Sequence, residues 1–355
     1  MISVIMNTSA GSADEKISAL SGIYVSCLSL SLIGSGSVLV VSILKRSHLN
    51  VQAKPLLLLA LADFLASVVL MGTVILNFLS YDTLPVKDSE KLCNYGLPLS
   101  LTFYFISFLL VIIYACESAY VFQGWRERTE VEGFENQLLR RRRMFCLFYI
   151  IVWLIPIVGY IVYVNTVTVM QATLTPTNKL ISSAPKTARF CNSCILFLHI
   201  TNDTCPTVDS GHAEFIRVFT LTSVLIVLMS CTVVYCQLQS CYMNYENTSV
   251  LRMSQNHPGG IWSSARYMIL VIIFCWAPAL LLICLSFASP NIRPSLFPLY
   301  VLQAISVSLQ GFLNSIVYAW RRRNFRDAVL GERLPLMAYS NKAFFEQSLS
   351  EPMGN

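Results

Sequence analysis

The residue with the clearest capacity for chemistry is Asp63, an acid within the apolar stretch Leu56–Ser80. A charged side chain at the middle of a membrane helix costs about 2.5–3.5 kcal/mol on insertion scales, so it is retained where it faces other helices and finds partners. The preceding Leu59–Ala62 includes small residues, which permit close helix packing. Asp63 is expected to be an ion or proton site that biases the helix arrangement, or else a buried polar anchor.

Polar side chains also occur in two other apolar stretches. Asn314 and Tyr318 lie in the last stretch, which ends at Trp320 and is followed by Arg321–Arg323. An arginine run of this kind is typical of a membrane exit on the cytoplasmic side. Glu117 lies near the end of the third stretch, where it could pair with an arginine of the following loop or reach water.

Proline interrupts the sixth apolar stretch at Pro278, two residues after Trp276. Proline removes a backbone hydrogen bond and kinks a helix. The bulky Trp276 beside the kink could sense a ligand, or the pair could contribute only to the shape of the helix.

These side chains must be carried by membrane helices. Of the 355 residues, 55% are hydrophobic and 12% are charged, and the mean hydropathy is +0.60; soluble domains have about 25% charged residues. Seven stretches are long enough to cross about 30 Å of hydrocarbon as helices, and they lack the alternation of a membrane barrel. The sequence predicts an all-α membrane protein, a seven-helix bundle with these spans: Ser21–Leu44, Leu56–Ser80, Tyr95–Phe122, Met144–Thr168, Phe215–Ser240, Ala265–Ala288 and Leu296–Trp320.

Basic residues predict the orientation of the bundle. With the N-terminus outside, seventeen of the 25 lysines and arginines fall on the cytoplasmic side and eight fall outside, as the positive-inside rule requires. The predicted organisation is an extracellular tail over 1–20, a membrane domain over 21–320, a short amphipathic helix over 321–331 and a cytoplasmic tail over 332–355. No cleavable signal peptide is evident. We expect an integral multi-pass protein of the plasma membrane.

The predicted outer surface carries candidates for covalent modification. Asn7 and Asn202 begin glycosylation sequons, whereas the sequon at Asn247 falls on the inner side and should stay unmodified. Four cysteines face the oxidising side, and their three alternative pairings stay open. These disulfide candidates are Cys93, Cys191, Cys194 and Cys205.

Several short motifs resemble those of the rhodopsin-like G-protein-coupled receptors, and the resemblance covers the membrane domain. Leu59–Asp63 is similar to the second-helix Leu-Ala-x-Ala-Asp motif, Cys275–Pro278 to the sixth-helix Cys-Trp-x-Pro motif, and Asn314–Tyr318 to the seventh-helix Asn-Pro-x-x-Tyr motif. Three further positions fit the same pattern: Cys93 before the third helix, Trp153 in the fourth, and Asn324–Leu330 as the short eighth helix. The seventh stretch also resembles the cyclic-AMP receptor class.

The resemblance implies a sodium site formed by Asp63, Ser107 and Asn314, and switch roles for Trp276 and Tyr318. It also exposes departures, because three serines stand at positions where the family uses other residues. Ser37 replaces the asparagine of the first helix, Ser118 after Glu117 replaces the third-helix arginine, and Ser315 replaces the seventh-helix proline. The missing arginine indicates a divergent, orphan-like receptor in which G-protein activation differs from the family's.

The leading functional hypothesis is therefore a receptor whose ligand shifts a two-state bundle and opens a cytoplasmic surface. The alternatives are a receptor-like scaffold without G-protein coupling and a transporter. All four histidines lie in predicted loops, so a zinc hydrolase is not indicated, and the chain is expected not to be an enzyme. The seventh stretch lacks the lysine that retinal would require, and no cofactor beyond a sodium ion is expected. The expected partners are membrane lipid, an extracellular or lipid-like ligand and a heterotrimeric G protein, with no nucleic acid.

Overall fold

The fold is a bundle of long α-helices. In this computed structural model the described residues are 13–44, 54–76, 78, 86–127, 134–174, 195–196, 210–249, 259–288 and 296–321, and they contain no strand. The helices are α1 (Ala13–Leu44), α2 (Lys54–Ile75), α3 (Val86–Glu127), α4 (Phe134–Leu174), α5 (Ser210–Ser249), α6 (Gly259–Ala288), α7 (Phe297–Ser308) and α8 (Gln310–Arg321).

Seven spans account for these helices. Six of them are each long and apolar enough to cross a membrane, and α7 with α8 forms a seventh span bent by 43°. The predicted all-α membrane bundle with seven spans is thereby confirmed. We call the end at which α1 finishes and α2 starts the Lys54 end, and the opposite end, at which α7 starts, the Phe297 end.

The seventh span bends although serine stands after Asn314, where the receptor motif has proline. Helical hydrogen bonds continue across Leu309, whose N–H donates to Ile305 O at 3.1 Å and whose carbonyl accepts from Leu313 N at 2.9 Å. Ser315 Oγ donates to the carbonyl of Gly311 at 2.6 Å. Ser315, at the position of the expected proline, therefore bonds back to the preceding turn within α8, after the bend at Leu309.

Helix α3 lies at the centre of the bundle. It packs against α2, α4, α5 and α6, while α1 packs against α2, α7 and α8, and α6 packs against α5, α7 and α8. Helix α4 has its main contact with α3. It exposes large apolar side chains on its other faces, as a helix in contact with lipid does: Leu147, Phe148, Ile151, Leu154 and Ile155.

Two glycines bring α1 and α8 into close contact. A Cβ added at Gly34 would lie 3.1 Å from the Cα of Phe312, and a Cβ added at Gly311 would overlap Ser31 Oγ. Small residues at membrane helix interfaces allow backbones to approach in this way. The close approach places α8 directly beside Asp63, because the same added Cβ at Gly311 would lie 3.2 Å from Asp63 Cβ.

The predicted segment boundaries differ from the helices in several places. Helix α1 starts at Ala13, within the predicted outer tail over 1–20, and α4 starts at Phe134, within the predicted second cytoplasmic loop. Ile195 and Leu196, from the long connection between α4 and α5, are buried in the apolar core. The predicted amphipathic helix beyond Arg321 and the tail over 332–355 lie outside the described residues.

Candidate functional site

Asp63 lies on α2 with only 1% of its surface exposed. Three side chains from α3 and α8 donate hydrogen bonds to its carboxylate. Ser107 Oγ donates to Oδ1 at 2.7 Å, Gln310 Nε2 donates to Oδ1 at 3.1 Å, and Asn314 Nδ2 donates to Oδ2 at 2.8 Å. The structure therefore brings together Asp63, Ser107 and Asn314, the three residues of the predicted sodium site, and adds Gln310.

Gln310 joins this carboxylate to the aromatic residues of α3 and α6. Its Nε2 also donates to Ser107 Oγ at 3.1 Å, and its Oε1 accepts from Trp276 Nε1 at 2.6 Å. The Trp276 ring packs edge-on against Tyr104 and Phe108, with ring centroids 5.5 and 4.9 Å apart. A change in how Asp63 is bonded can therefore reach Trp276 through one side chain.

A second group of serines lies on the α1 side of Asp63. Ser67 Oγ donates to the Asp63 carbonyl at 2.8 Å and lies 3.1 Å from Ser31 Oγ. The contact between Ser67 and Ser31 joins α2 to α1 at the level where α8 approaches. Both contacts of Ser67 are hydroxyl contacts of a small side chain, so they permit the close helix spacing set by the two glycines.

The charge of Asp63 has no cationic counterpart among these contacts, because its three side-chain donors are a hydroxyl and two amides. An ionised carboxylate removed from water is expensive unless it is paired. A monovalent cation or a proton at the carboxylate would balance the charge. We call Asp63, Ser107, Gln310, Asn314 and Trp276 the Asp63 network.

The oxygen atoms at this position suit an alkali cation. Asn314 Oδ1 is buried and lacks a hydrogen-bond partner among the described residues, and the carboxylate and Ser107 Oγ are also hard oxygen ligands. A cavity with room for about one water-sized species borders Asp63 and Asn314. The described residues contain no group of three or more His, Cys, Asp or Glu that could hold a metal ion.

The second predicted site, around Glu117, has a tyrosine partner that was not anticipated. Tyr149 Oη of α4 donates to Glu117 Oε2 at 2.6 Å, and the arginine side chains considered as partners lie outside those described. Ser118 lies in α3 and Tyr318 in α8, but neither side chain is among those described.

The remaining predicted sites fall largely outside the described residues. Cys93 lies within α3, but its side chain is not among those described. Cys191, Cys194 and Cys205, with Asn7 and Asn202, lie outside the described residues altogether. The predicted disulfides and glycosylation stay predictions.

Comparison with known protein families identifies the family of the chain. The family described as transmembrane protein 116 (TMEM116) matches residues 18–333, which include every helix of the bundle except the first turns of α1. The chain belongs to the TMEM116 family.

Its assignment to the rhodopsin-like G-protein-coupled receptors, with features of the cyclic-AMP receptors, is wrong, because the matching family is TMEM116 and not a family of G-protein-coupled receptors. The motifs that suggested the assignment are short. A buried acid beside small residues, a proline within a helix and a polar residue in the last span each serve helix packing in membranes generally. Ser37, Ser118 and Ser315 were departures only from the receptor motifs, so in a TMEM116 chain they are not substitutions.

Gln310 is the residue of the TMEM116 site that sequence reasoning missed. It lies four residues before Asn314, and residues four apart lie on the same helix face. A glutamine at that spacing in an apolar stretch was the available signal. Gln303 is likewise a glutamine in an apolar stretch. It is fully buried in α7 and exchanges hydrogen bonds with Tyr24 of α1 at 3.0 and 3.2 Å.

Proposed function

We propose that this multi-pass membrane protein is a non-enzymatic receptor, and that a sodium ion or proton at Asp63 stabilises one of two helix arrangements. The observation that carries the proposal is the Asp63 network, in which one buried acid joins α2, α3 and α8 through neutral donors. A ligand shifts such an equilibrium only by its differential affinity for the two states. A cation that binds one arrangement of these oxygen ligands more tightly than the other meets that condition.

The bent seventh span supports a conformational role for the network. Its two halves meet at Leu309, and both amide side chains of the network, Gln310 and Asn314, lie in α8 immediately after the bend. A change in their bonding to Asp63 would therefore alter the position of α8 relative to α2. Through the Trp276 indole, the same change would reach α6, whose Pro278 lies half a turn further along.

The direction of signalling follows from the proposed orientation. With the N-terminus outside, the Phe297 end faces the extracellular space, and the Lys54 end faces the cytoplasm. The proposed location is the plasma membrane. An extracellular or lipid-like ligand would bind at the Phe297 end, and a cytoplasmic partner, a heterotrimeric G protein being the class to test, would bind at the Lys54 end. The Glu117–Tyr149 contact near that end joins α3 to α4.

A transporter is the second candidate, and the bend at Leu309 favours it. Transport proteins of the membrane use broken helices beside their ion sites, and here a 43° bend is adjacent to the residues that bond Asp63. The two candidates differ in one measurable property. A receptor binds the cation without net flux, whereas a sodium-coupled transporter in sealed vesicles carries it across the bilayer.

The cation dependence is tested by thermal unfolding of the purified protein in detergent, with sodium chloride compared with N-methylglucamine chloride at equal ionic strength. Ligand binding stabilises the native state by about 2.7 kcal/mol at a concentration one hundred times the dissociation constant. We expect sodium to stabilise the wild type and not Asp63→Asn. Glu117→Gln, at an acid outside the network, should keep the sodium effect. An equal shift in Asp63→Asn would contradict the proposed site.

The signalling half of the proposal is tested in cells with a G-protein dissociation panel. Wild type, Ser118→Arg and Asp63→Asn are compared for basal and ligand-driven dissociation. We expect Asp63→Asn to change basal dissociation, because it alters the balance between the two arrangements. If no variant dissociates any G protein and sodium still stabilises the wild type, the receptor-like scaffold replaces the coupled receptor.

A further inference from the structure

We infer that the cation at Asp63 exchanges through the Lys54 end of the bundle, and that the Phe297 side of the acid is closed to it. This inference rests on the proposed function, since it concerns the same site. It makes the Asp63 network a sensor of the cation composition on the cytoplasmic side in the proposed orientation.

The position of the cavity beside Asp63 carries the inference. On α2 its walls are Leu56, Leu59, Ala60 and Asp63 itself. These residues share one helix face, because they are spaced by three and four positions, and they all lie between the Lys54 end and the acid. At 1.5 Å per residue, Leu56 lies about 10 Å along the helix axis from Asp63, so the residues that line the cavity on α2 extend from the acid toward that end.

The other walls lie on the same side of the acid. They come from the Lys54 halves of α1 and α6 and from α8: Val38, Met268, Asn314 and Ser315. Asn314 Oδ1, which has no hydrogen-bond partner in the described part of the chain, belongs to this wall. A cation that leaves Asp63 toward the Lys54 end therefore passes an oxygen ligand whose hydrogen-bonding capacity is unused.

Packing closes the opposite side of Asp63. Gln310 occupies the position directly beyond the carboxylate, and Trp276, which bonds to it, is packed against two aromatic rings. Along α2 the next core positions, Ala66 and Leu70, are fully buried. An ion moving toward the Phe297 end would have to break the Gln310 bonds and displace the indole.

The route toward the Lys54 end is narrow and apolar at its far end. Leu56, Leu59 and Val38 are 2–3% exposed, and Met268 is fully buried. No hydrogen bond between the described side chains of this collar needs to break there, and methionine is the most adaptable of the apolar side chains. Small side-chain movements of these four residues are enough to admit a cation, so the collar they form sets the exchange rate.

Two alanines of α2 provide a matched test. Ala60 lies three residues before Asp63 in the cavity wall, and Ala66 lies three residues after it on the closed side. Each is replaced by cysteine in the full-length protein in sealed vesicles of known orientation. Silver ion, a small monovalent cation that reacts with thiols, is added as the nitrate from one face at a time. Protection from later maleimide labelling is measured for each cysteine-containing peptide by mass spectrometry, so native cysteines stay in place.

We expect silver to protect Ala60→Cys about tenfold or more faster from the Lys54 face than from the other face, a ratio that corresponds to a modest difference in barrier. The thiol of Ala66→Cys should react slowly with silver added from either face. Sodium nitrate on the Lys54 face should slow the reaction of Ala60→Cys, and Asp63→Asn should remove that slowing. If Ala60→Cys fails to fold, Ser315→Cys, with a thiol in place of the hydroxyl, reports from the same cavity.

The outcomes separate the route from the proposed function. The sodium-dependent stability measurement in detergent has no sidedness, so its failure overturns the proposed cation site whatever the thiols do. If the sodium effect on stability is retained, three thiol results would overturn the route alone. They are protection of Ala66→Cys by silver added from the Phe297 face, equal reaction of Ala60→Cys from both faces, and a reaction rate of Ala60→Cys that sodium on the Lys54 face leaves unchanged.

Discussion

Replacing Gln310 by methionine should destabilise the bundle by about 3–5 kcal/mol. Methionine has a similar length but neither donates to Asp63 and Ser107 nor accepts from Trp276, so three hydrogen bonds are lost. Interhelical hydrogen bonds in a membrane protein contribute about 0.6 kcal/mol on average, which gives about 2 kcal/mol for the three. A buried indole N–H without an acceptor adds a desolvation penalty of about 1–3 kcal/mol.

The measurement is the free energy of unfolding in mixed micelles titrated with sodium dodecyl sulfate. Gln303→Met is the matched control, because the Gln303 side chain is also fully buried but, among the described residues, exchanges hydrogen bonds with Tyr24 alone. We expect Gln310→Met to cost more than Gln303→Met and also to weaken the sodium dependence of stability. Equal costs, with an unchanged sodium dependence, would refute the view that Gln310 connects the acid to Trp276.

Three further predictions concern packing, the Glu117 contact and orientation. Gly311→Ala should cost about 1–3 kcal/mol in the same unfolding assay, since overpacking a close interface is destabilising. Tyr149→Phe should cost about 1 kcal/mol, because it removes the hydrogen bond to Glu117. With the N-terminus outside, glycosidase treatment should increase the gel mobility of the cell-expressed protein, and changing both Asn7 and Asn202 to glutamine should abolish the effect.

Each of these three has an internal control. Gly72→Ala should be tolerated, because a Cβ there meets nothing within 4 Å, and an equal loss would exclude the close-approach explanation. Tyr160→Phe removes a longer bond of 3.2 Å to a backbone carbonyl, so a loss equal to that of Tyr149→Phe would argue against a specific Glu117 contact. Asn247→Gln should leave glycosylation unchanged. A change in the gel mobility of that variant would indicate the opposite orientation, with the N-terminus inside.

The number and type of spans could be predicted from the sequence because lipid imposes a strong constraint. Every backbone polar group must be satisfied within its segment, so long apolar stretches become helices. Charged and polar residues inside those stretches are costly, which is why Asp63 and Asn314 could be recognised as candidates. Their mutual contact with Ser107 was anticipated through a family resemblance rather than through composition.

Other features could not be predicted because they depend on packing between distant segments. Gln310 is an uncharged residue whose importance appears only when α8 lies beside α2 and α6 at once. The close approach that permits this depends on Gly311 against Ser31, more than two hundred positions apart. The family relationship also exceeded what short motifs can decide, since the matching family spans residues 18–333 as a whole.

The central claim, that Asp63 binds a cation, is tested most directly by equilibrium binding of radioactive sodium ions to the purified protein in detergent. The proposed site predicts saturable binding to the wild type that unlabelled sodium displaces and N-methylglucamine does not. Asp63→Asn should lose this binding, while Glu117→Gln should retain it. Saturable binding of equal affinity in Asp63→Asn, or its absence from folded wild-type protein, would contradict the claim.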